Sequence, residues 1–252
     1  MNPLVDLPNA THDASMSLQD VTVELDGYMA LTNVTFNVDA GTLMGVVGPN
    51  GAGKSTLFNT IAGLLPVHQG SVTLNRVDLH RGALAYVPQR DSVNWRFPVN
   101  VSDVVLMGRC CRLGWFRRPG KKDRELVREC LCRVGLWDYR SSLMTELSGG
   151  QRQRVFVARA LAQEASVLLL DEAFSGVDAG AQEILVEVLQ ALRDEGRIVL
   201  LSTHDLNNLS RRFDQVLCLN RHVCACGAPS QVITPAVMKE LYGVQFSMDG
   251  EG

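Results

Sequence analysis

With 252 residues, 46% of them apolar, the chain can bury a full core as one large domain or as two lobes. Its formal net charge of −3 gives no overall attraction to nucleic acid or anionic lipid, so no nucleic-acid partner is expected. No apolar run approaches the roughly 18–20 residues of a membrane span.

The opening MNPLVDLPNATHDASM lacks a basic start followed by an apolar core. Residues 1–16 therefore read as a flexible tail rather than a signal peptide, and the protein as an intracellular one. VTVEL and NVTFNV alternate and are β-branched, which predicts strands of an antiparallel lobe. GTLMGVVG is an apolar strand ending in glycine, followed by helical spacing in KSTLFNTIAGLL. SVTLN and ALAYVPQ predict further strands, and the texture turns helical over 99–147. SVLLLDEAF and RIVLLSTHDL are continuously apolar, as strands of a buried parallel sheet are. Between them AGAQEILVEVLQALRDEGR predicts an amphipathic helix closed by Gly196. VLCLN and one helix around SQVITPAVMKELYG complete the chain, with 244–252 as a second tail. The fold class is thus α/β: a mainly parallel sheet flanked by helices, an antiparallel β subdomain, and an inserted helical subdomain.

Seven cysteines without a secretory signal argue for free thiols in a reducing compartment. The pairs Cys130/Cys132 and Cys224/Cys226 have no histidine at zinc-site spacing. They read as small buried or half-buried thiols, with metal ligation as the alternative.

Chemistry enters at Gly48-Pro49-Asn50-Gly51-Ala52-Gly53-Lys54-Ser55-Thr56, between an apolar strand and a helix. Glycines at this spacing let main-chain N–H groups wrap phosphates, with Lys54 on the β- and γ-phosphates and Ser55 on Mg²⁺. The plainer alternative is a glycine-rich turn. Asp171 and Glu172 leave a buried strand where one carboxylate can hold Mg²⁺ and the other can activate water. An acidic pair there can also be a simple helix-start signal. His204 ends the next apolar strand, on the edge where ligands collect in such sheets, unless it merely sits beside a helix cap. Gln89 ends ALAYVPQ, where an amide can touch Mg²⁺ or the water, or be an ordinary turn residue. LSGGQ, with Ser148, Gly149, Gly150 and Gln151, is a second glycine-exposed helix start. Its plainer reading is a cap preceding the packed face Val155, Ala158 and Leu161.

GPNGAGKST, Gln89, LSGGQ, LLLDE, SGVD and STHD, in that order, resemble the nucleotide-binding subunits of ABC transporters. The likeness runs from about Ser17 to Gly243, making 17–243 one nucleotide-binding domain. RDSVNWRFPVNVSDVVLMGR and DEAFSGVD are similar to the branch serving manganese, zinc or iron importers. The resemblance implies ATP with Mg²⁺ as ligands, the ion held by Ser55, Gln89 and Asp171. It implies catalysis by Glu172, His204 and Gln89, and a head-to-tail homodimer in which Ser148–Gln151 serve the nucleotide of the partner chain. Asp178 in SGVD is similar to the loop linking the two sites. The expected partners are an integral membrane permease and an extracytoplasmic metal-binding protein, with the chain peripheral on the cytoplasmic face of the membrane.

Two positions depart from the family pattern. The adenine-stacking aromatic falls near Leu25, where none stands, and Tyr28 is the nearby substitute. Ala173 stands where the family commonly has proline. Trp95, Phe97 and Val99–Met107 would line a groove for the permease. The basic run Arg109, Arg112, Arg117, Arg118, Lys121 and Lys122, with Trp115 and Phe116 inside it, would face headgroups or permease loops, or be a solvated face. Two other roles stay open: an ABC ATPase acting on cytosolic machinery such as iron–sulfur cluster assembly, and a small-molecule kinase, against which LSGGQ argues.

Overall fold

A computed structural model describes residues 15–75, 83–89, 98–113, 118–206 and 209–243. The first strands, β1 (Ser15–Leu25) and β2 (Tyr28–Asp39), form an antiparallel hairpin. Its two-residue loop, Asp26-Gly27, has φ of 50° and 81°, the backbone of a tight hairpin turn that matches strand twist. β4 (Gln69–Asn75) pairs with the other side of β1, giving the order β2-β1-β4.

The second sheet is built on β3 (Thr42–Val47), buried at every residue. With β5 (Leu84–Val87), β6 (Val167–Leu170), β7 (Ile198–Thr203), β8 (Gln215–Asn220) and β9 (His222–Gly227) it has the order β5-β6-β7-β3-β8-β9. All neighbours are parallel except β8 and β9. The continuous apolar runs arise because both faces are covered. On one face lie the antiparallel sheet and α1 (Lys54–Ile61), where Met16, Leu18, Phe36, Leu57 and Phe58 meet Met44, Leu169 and Leu200. On the other lie α5 (Gly149–Ala162), α6 (Ala179–Asp194) and α9 (Pro235–Tyr242), with Val155, Leu185 and Leu241 packed on Leu168, Val199 and Val216.

The inserted helical region comprises α2 (Val101–Met107), α3 (Cys110–Leu113) and α4 (Lys121–Arg133), with α2 and α4 packed on each other and on α5. Gly196, with φ 83°, follows the end of α6 as expected. Three features differ from the sequence reading. β1 takes in Ser15 and the fully buried Met16, where the sequence reading runs the tail to residue 16. β9 carries no clear strand signal in the sequence because its face is half-exposed and interrupted by a bulge. The terminal helix is two: α8 (Pro229–Val232) stops before Pro235 starts α9, since proline suits a first turn and not an interior. The short α7 (Leu209–Arg212) precedes β8.

Candidate functional site

At the end of β3 the chain turns through residues 48–53 into α1. A Cβ at Gly48 would collide with the Leu219 carbonyl oxygen, and Gly53, with φ 94°, would place one 2.7 Å from Leu31 Cδ2. Only glycine fits either place. The loop is tied to its surroundings: the Arg221 N–H donates to the Ala52 carbonyl at 2.8 Å, and the Thr32 N–H donates to the Arg221 carbonyl at 2.7 Å. The buried Lys54 ammonium donates to the carbonyls of Gly48 at 2.8 Å and Pro49 at 3.0 Å. Burial holds its pKa below the usual lysine value, against the pull of Glu172 and then Asp171.

Residues 50–56 of this loop line a cavity of about 630 Å³ together with Tyr28, Met29, Ala30, Gln89, Glu172 and Arg221. Tyr28, 79% exposed at the start of β2, is part of that lining.

The acidic pair follows β6. Asp171 is 1% exposed, and its Oδ1 accepts the Ser202 hydroxyl at 2.6 Å. Ser202 Oγ in turn accepts the Glu172 N–H at 2.8 Å. Asp171 Oδ2 is buried without a well-formed hydrogen bond, although the Tyr86 phenol interacts with this carboxylate. A buried carboxylate oxygen left in that state is costly unless a cation or donor reaches it. With the Ser55 hydroxyl exposed into the cavity, the donor set fits a hard divalent cation such as Mg²⁺. Glu172 has φ 49°, the left-handed region, and its Oε2 accepts the Gln89 side-chain amide at 2.9 Å. Strained backbone of this kind costs of the order of 1–3 kcal/mol and concentrates at functional sites. The Tyr86 phenol is pushed up by burial and next by the Asp171 charge.

The other predicted residues lie elsewhere. His204 is exposed just past β7 and lines a separate pocket of about 200 Å³ with Glu172, Ser202 and Thr203. Thr203 Oγ1 accepts the Asp205 N–H at 3.0 Å, a local turn. Ser148 and Gln151 form a reciprocal cap at the start of α5: Ser148 N–H donates to Gln151 Oε1 at 2.8 Å, and Gln151 N–H to Ser148 Oγ at 3.3 Å. That cap leaves the N–H groups of Gly149 and Gly150 among those a helix cannot satisfy itself. A Cβ on Gly150 would sit 3.0 Å from the Gly176 carbonyl, so α5 starts hard against the turn before Asp178. Asp178 caps α6, its Oδ1 accepting the Ala181 N–H at 2.9 Å. Ser148, Gly149, Gly150, Gln151 and Asp178 are not among the residues lining the phosphate-loop cavity.

Sequence reasoning missed Ser202 and Arg221. Ser202 had a signal, a polar residue inside an apolar strand; Arg221 had none. The basic run is corrected in part. Arg109 is largely buried and donates to Asp123 at 2.9 Å, Glu164 at 2.5 Å and the Ala162 carbonyl at 2.9 Å. Arg112 donates to the Gln163 and Glu164 carbonyls. Both guanidinium groups brace the helical region internally, whereas Arg118, Lys121 and Lys122 are exposed. In α2, Val101, Val104 and Val105 face inward and Met107 is exposed. Trp95, Phe97, Trp115, Phe116 and Arg117 lie outside the described residues. Of the seven thiols, all free, Cys130 and Cys218 are buried, Cys224 is half-buried, and Cys110 and Cys111 are exposed; Cys132 and Cys226 are exposed too, contrary to the expectation for the two pairs.

A glycine loop running from a buried strand into a helix, a buried lysine and an acidic pair whose Glu172 faces the same cavity define a phosphate-loop ATPase core. Comparison with known proteins narrows that class. The model of the family described as ABC transporter matches residues 31–175. The manganese transport system ATP-binding protein MntB of Halalkalibacterium halodurans is 43% identical over 96% of this chain and 93% of its own. The zinc transport system ATP-binding protein TroB of Treponema pallidum is 41% identical over 92% of this chain and 88% of its own. Among solved structures, the dimeric post-hydrolysis ATP-binding cassette MJ0796, bound to ADP and Pi, superposes with a TM-score of 0.74 at 26% identity, over 85% of this chain and 98% of that one. The chain belongs to the ABC transporter family, as one of its ATP-hydrolysing domains. Among the described residues, no helix is long and apolar enough to cross a membrane.

Proposed function

We propose that the chain is the energy-coupling ATPase of a membrane importer for a divalent transition metal. It works as a head-to-tail homodimer on the cytoplasmic face, beside permease subunits and supplied by an extracytoplasmic metal-binding protein. The metal class rests on the transport systems named for MntB and TroB. The head-to-tail reading rests on one observation: the α5 start offers the Gly149 and Gly150 N–H groups yet lines no part of the phosphate-loop cavity of its own chain.

In this reading Lys54 exchanges the Gly48 and Pro49 carbonyls for β- and γ-phosphate oxygens of ATP, and residues 48–56 wrap the phosphates. Tyr28 offers its ring to adenine, a stack of about 1–3 kcal/mol on the nucleic-acid scale. Ser55, Asp171 and Gln89 are the residues that would hold Mg²⁺, which when bound neutralises phosphate charge. Glu172 accepts a proton from the attacking water while the bond between the γ-phosphorus and the ADP oxygen breaks. Gln89, hydrogen-bonded to Glu172, sets the direction of that carboxylate, and His204, which lines a pocket with Glu172, serves the γ-phosphate. Ser148, Gly149 and Gly150 of the partner subunit add donors and a helix N-terminus to the same phosphate, held in place by Gln151, and Asp178 joins the two sites. ATP therefore favours the closed pair, and hydrolysis removes the bridging charge.

The test replaces the native chain by Glu172→Gln in metal-limited cells and measures manganese, zinc and iron. A fall in one metal, restored by the wild-type chain, is expected. Unchanged levels of all three would overturn the importer reading and leave the family assignment standing.

A further inference from the structure

The far edge of the six-stranded sheet carries a donor cluster outside the phosphate-loop cavity. His222 opens β9, Cys224 lies two residues on, and Glu240 projects from α9. His222 Nε2 is 2.9 Å from Glu240 Oε1 and 3.8 Å from Cys224 Sγ, and the three donor atoms all lie within 4.8 Å of one another. We propose that His222, Cys224 and Glu240 form a binding site for one divalent cation of the Zn²⁺ type.

Three lines support it. First, β9 is bulged at this place: Cys218 pairs with Ala225 and Leu219 with Val223, so Cys224 is the extra residue. A bulge re-aims a side chain, and here it brings the Cys224 thiol beside His222. Second, the spacing fits. Tetrahedral zinc with bonds of about 2.1 Å to nitrogen and 2.3 Å to sulfur sets its donors about 3.5 Å apart, so these atoms need shift only by fractions of an ångström to a little over one. Third, the set is one thiolate, one imidazole and one carboxylate, a borderline-soft combination that suits Zn²⁺ and serves oxygen-seeking Mn²⁺ or Mg²⁺ poorly. All three residues are reachable from solvent, which leaves the fourth position to water.

Without an ion, burial and then Glu240 push the Cys224 thiol up to about 11, while the His222 hydrogen bond holds Glu240 below the usual carboxylate value. Binding must therefore expel the thiol proton, and affinity rises with pH. The ion would clasp α9 to the edge strand, one residue from Arg221 and its bond to the phosphate loop. The site is independent of which metal the transporter carries.

The test uses the full chain, reduced and metal-free, with the exposed Cys110, Cys111, Cys132 and Cys226 changed to serine. Zn²⁺ is titrated in competition with a chromophoric chelator, Co²⁺ by its thiolate charge-transfer band, and Mn²⁺ separately. One Zn²⁺ per chain is expected, weakened about 100-fold or more by Cys224→Ser and about 10-fold or more by Glu240→Gln, with the cobalt band lost in Cys224→Ser. Thermal melts confirm that each variant is folded. No bound equivalent, an affinity indifferent to Cys224→Ser, or Mn²⁺ bound as tightly as Zn²⁺ would overturn the site and leave a surface ion pair.

Discussion

Ser202 shows how much a single hydroxyl organises. It lies 1% exposed among Leu200, Leu201 and Thr203, donates to Asp171 and accepts from the Glu172 backbone, so it sets both acidic residues at once. Ser202→Ala strands a buried N–H and a carboxylate oxygen, which costs about 1–3 kcal/mol. We expect a matching loss in urea unfolding and a fall in ATP turnover of about tenfold, since a misplaced carboxylate weakens catalysis more than binding. Unchanged turnover in a destabilised variant would show that Ser202 serves the fold alone. The phosphate loop was legible because its chemistry is local, with glycines, lysine and serine adjacent in sequence. The Asp171–Ser202–Glu172 chain was not, because its middle member, Ser202, comes from another strand 31 residues away from Asp171.

Among the elements, the inserted helical region depends on Arg109. Its guanidinium joins Asp123 of α4 to Glu164 beyond α5, and Asp123 also accepts the Gly120 N–H at the start of α4. Burial alone would raise the Asp123 carboxyl, but the Gly120 amide and Arg109 outweigh it and hold the pKa below normal. A depressed carboxyl stabilises the fold above its unfolded pKa of about 4, and that stability fades as pH falls through the folded value. Asp123→Asn is thus expected to lose about 2 kcal/mol at pH 7 in chemical denaturation, with the difference shrinking towards pH 3. A penalty independent of pH would assign the effect to packing. At this scale the sequence reads well where both faces are apolar, as in β3, β6 and β7, and poorly where tertiary context decides. The Arg109 run looks like a solvated or lipid-facing patch until its acidic partners, 14 and 55 residues on, are brought beside it. β9 gives no clean alternation because its bulge breaks the period.

For the whole molecule, the motifs divide into two groups that one chain keeps apart. Asn50–Thr56, Tyr28, Gln89 and Glu172 meet around a single cavity, and Ser148–Gln151 with Asp178 stand outside it. LSGGQ is legible as a helix start from its glycines and its serine–glutamine cap, and the proposal that its N–H groups serve a partner's nucleotide concerns the dimer rather than the single chain. The most direct measurement is sedimentation of purified Glu172→Gln with ATP and Mg²⁺, alone and combined with Ser148→Arg. The account predicts a stable dimer for the single variant, and for the double variant a monomer that still binds ATP. A Glu172→Gln chain that stays monomeric with ATP bound, or a Ser148→Arg change that abolishes ATP binding itself, would contradict a signature acting on the partner's nucleotide.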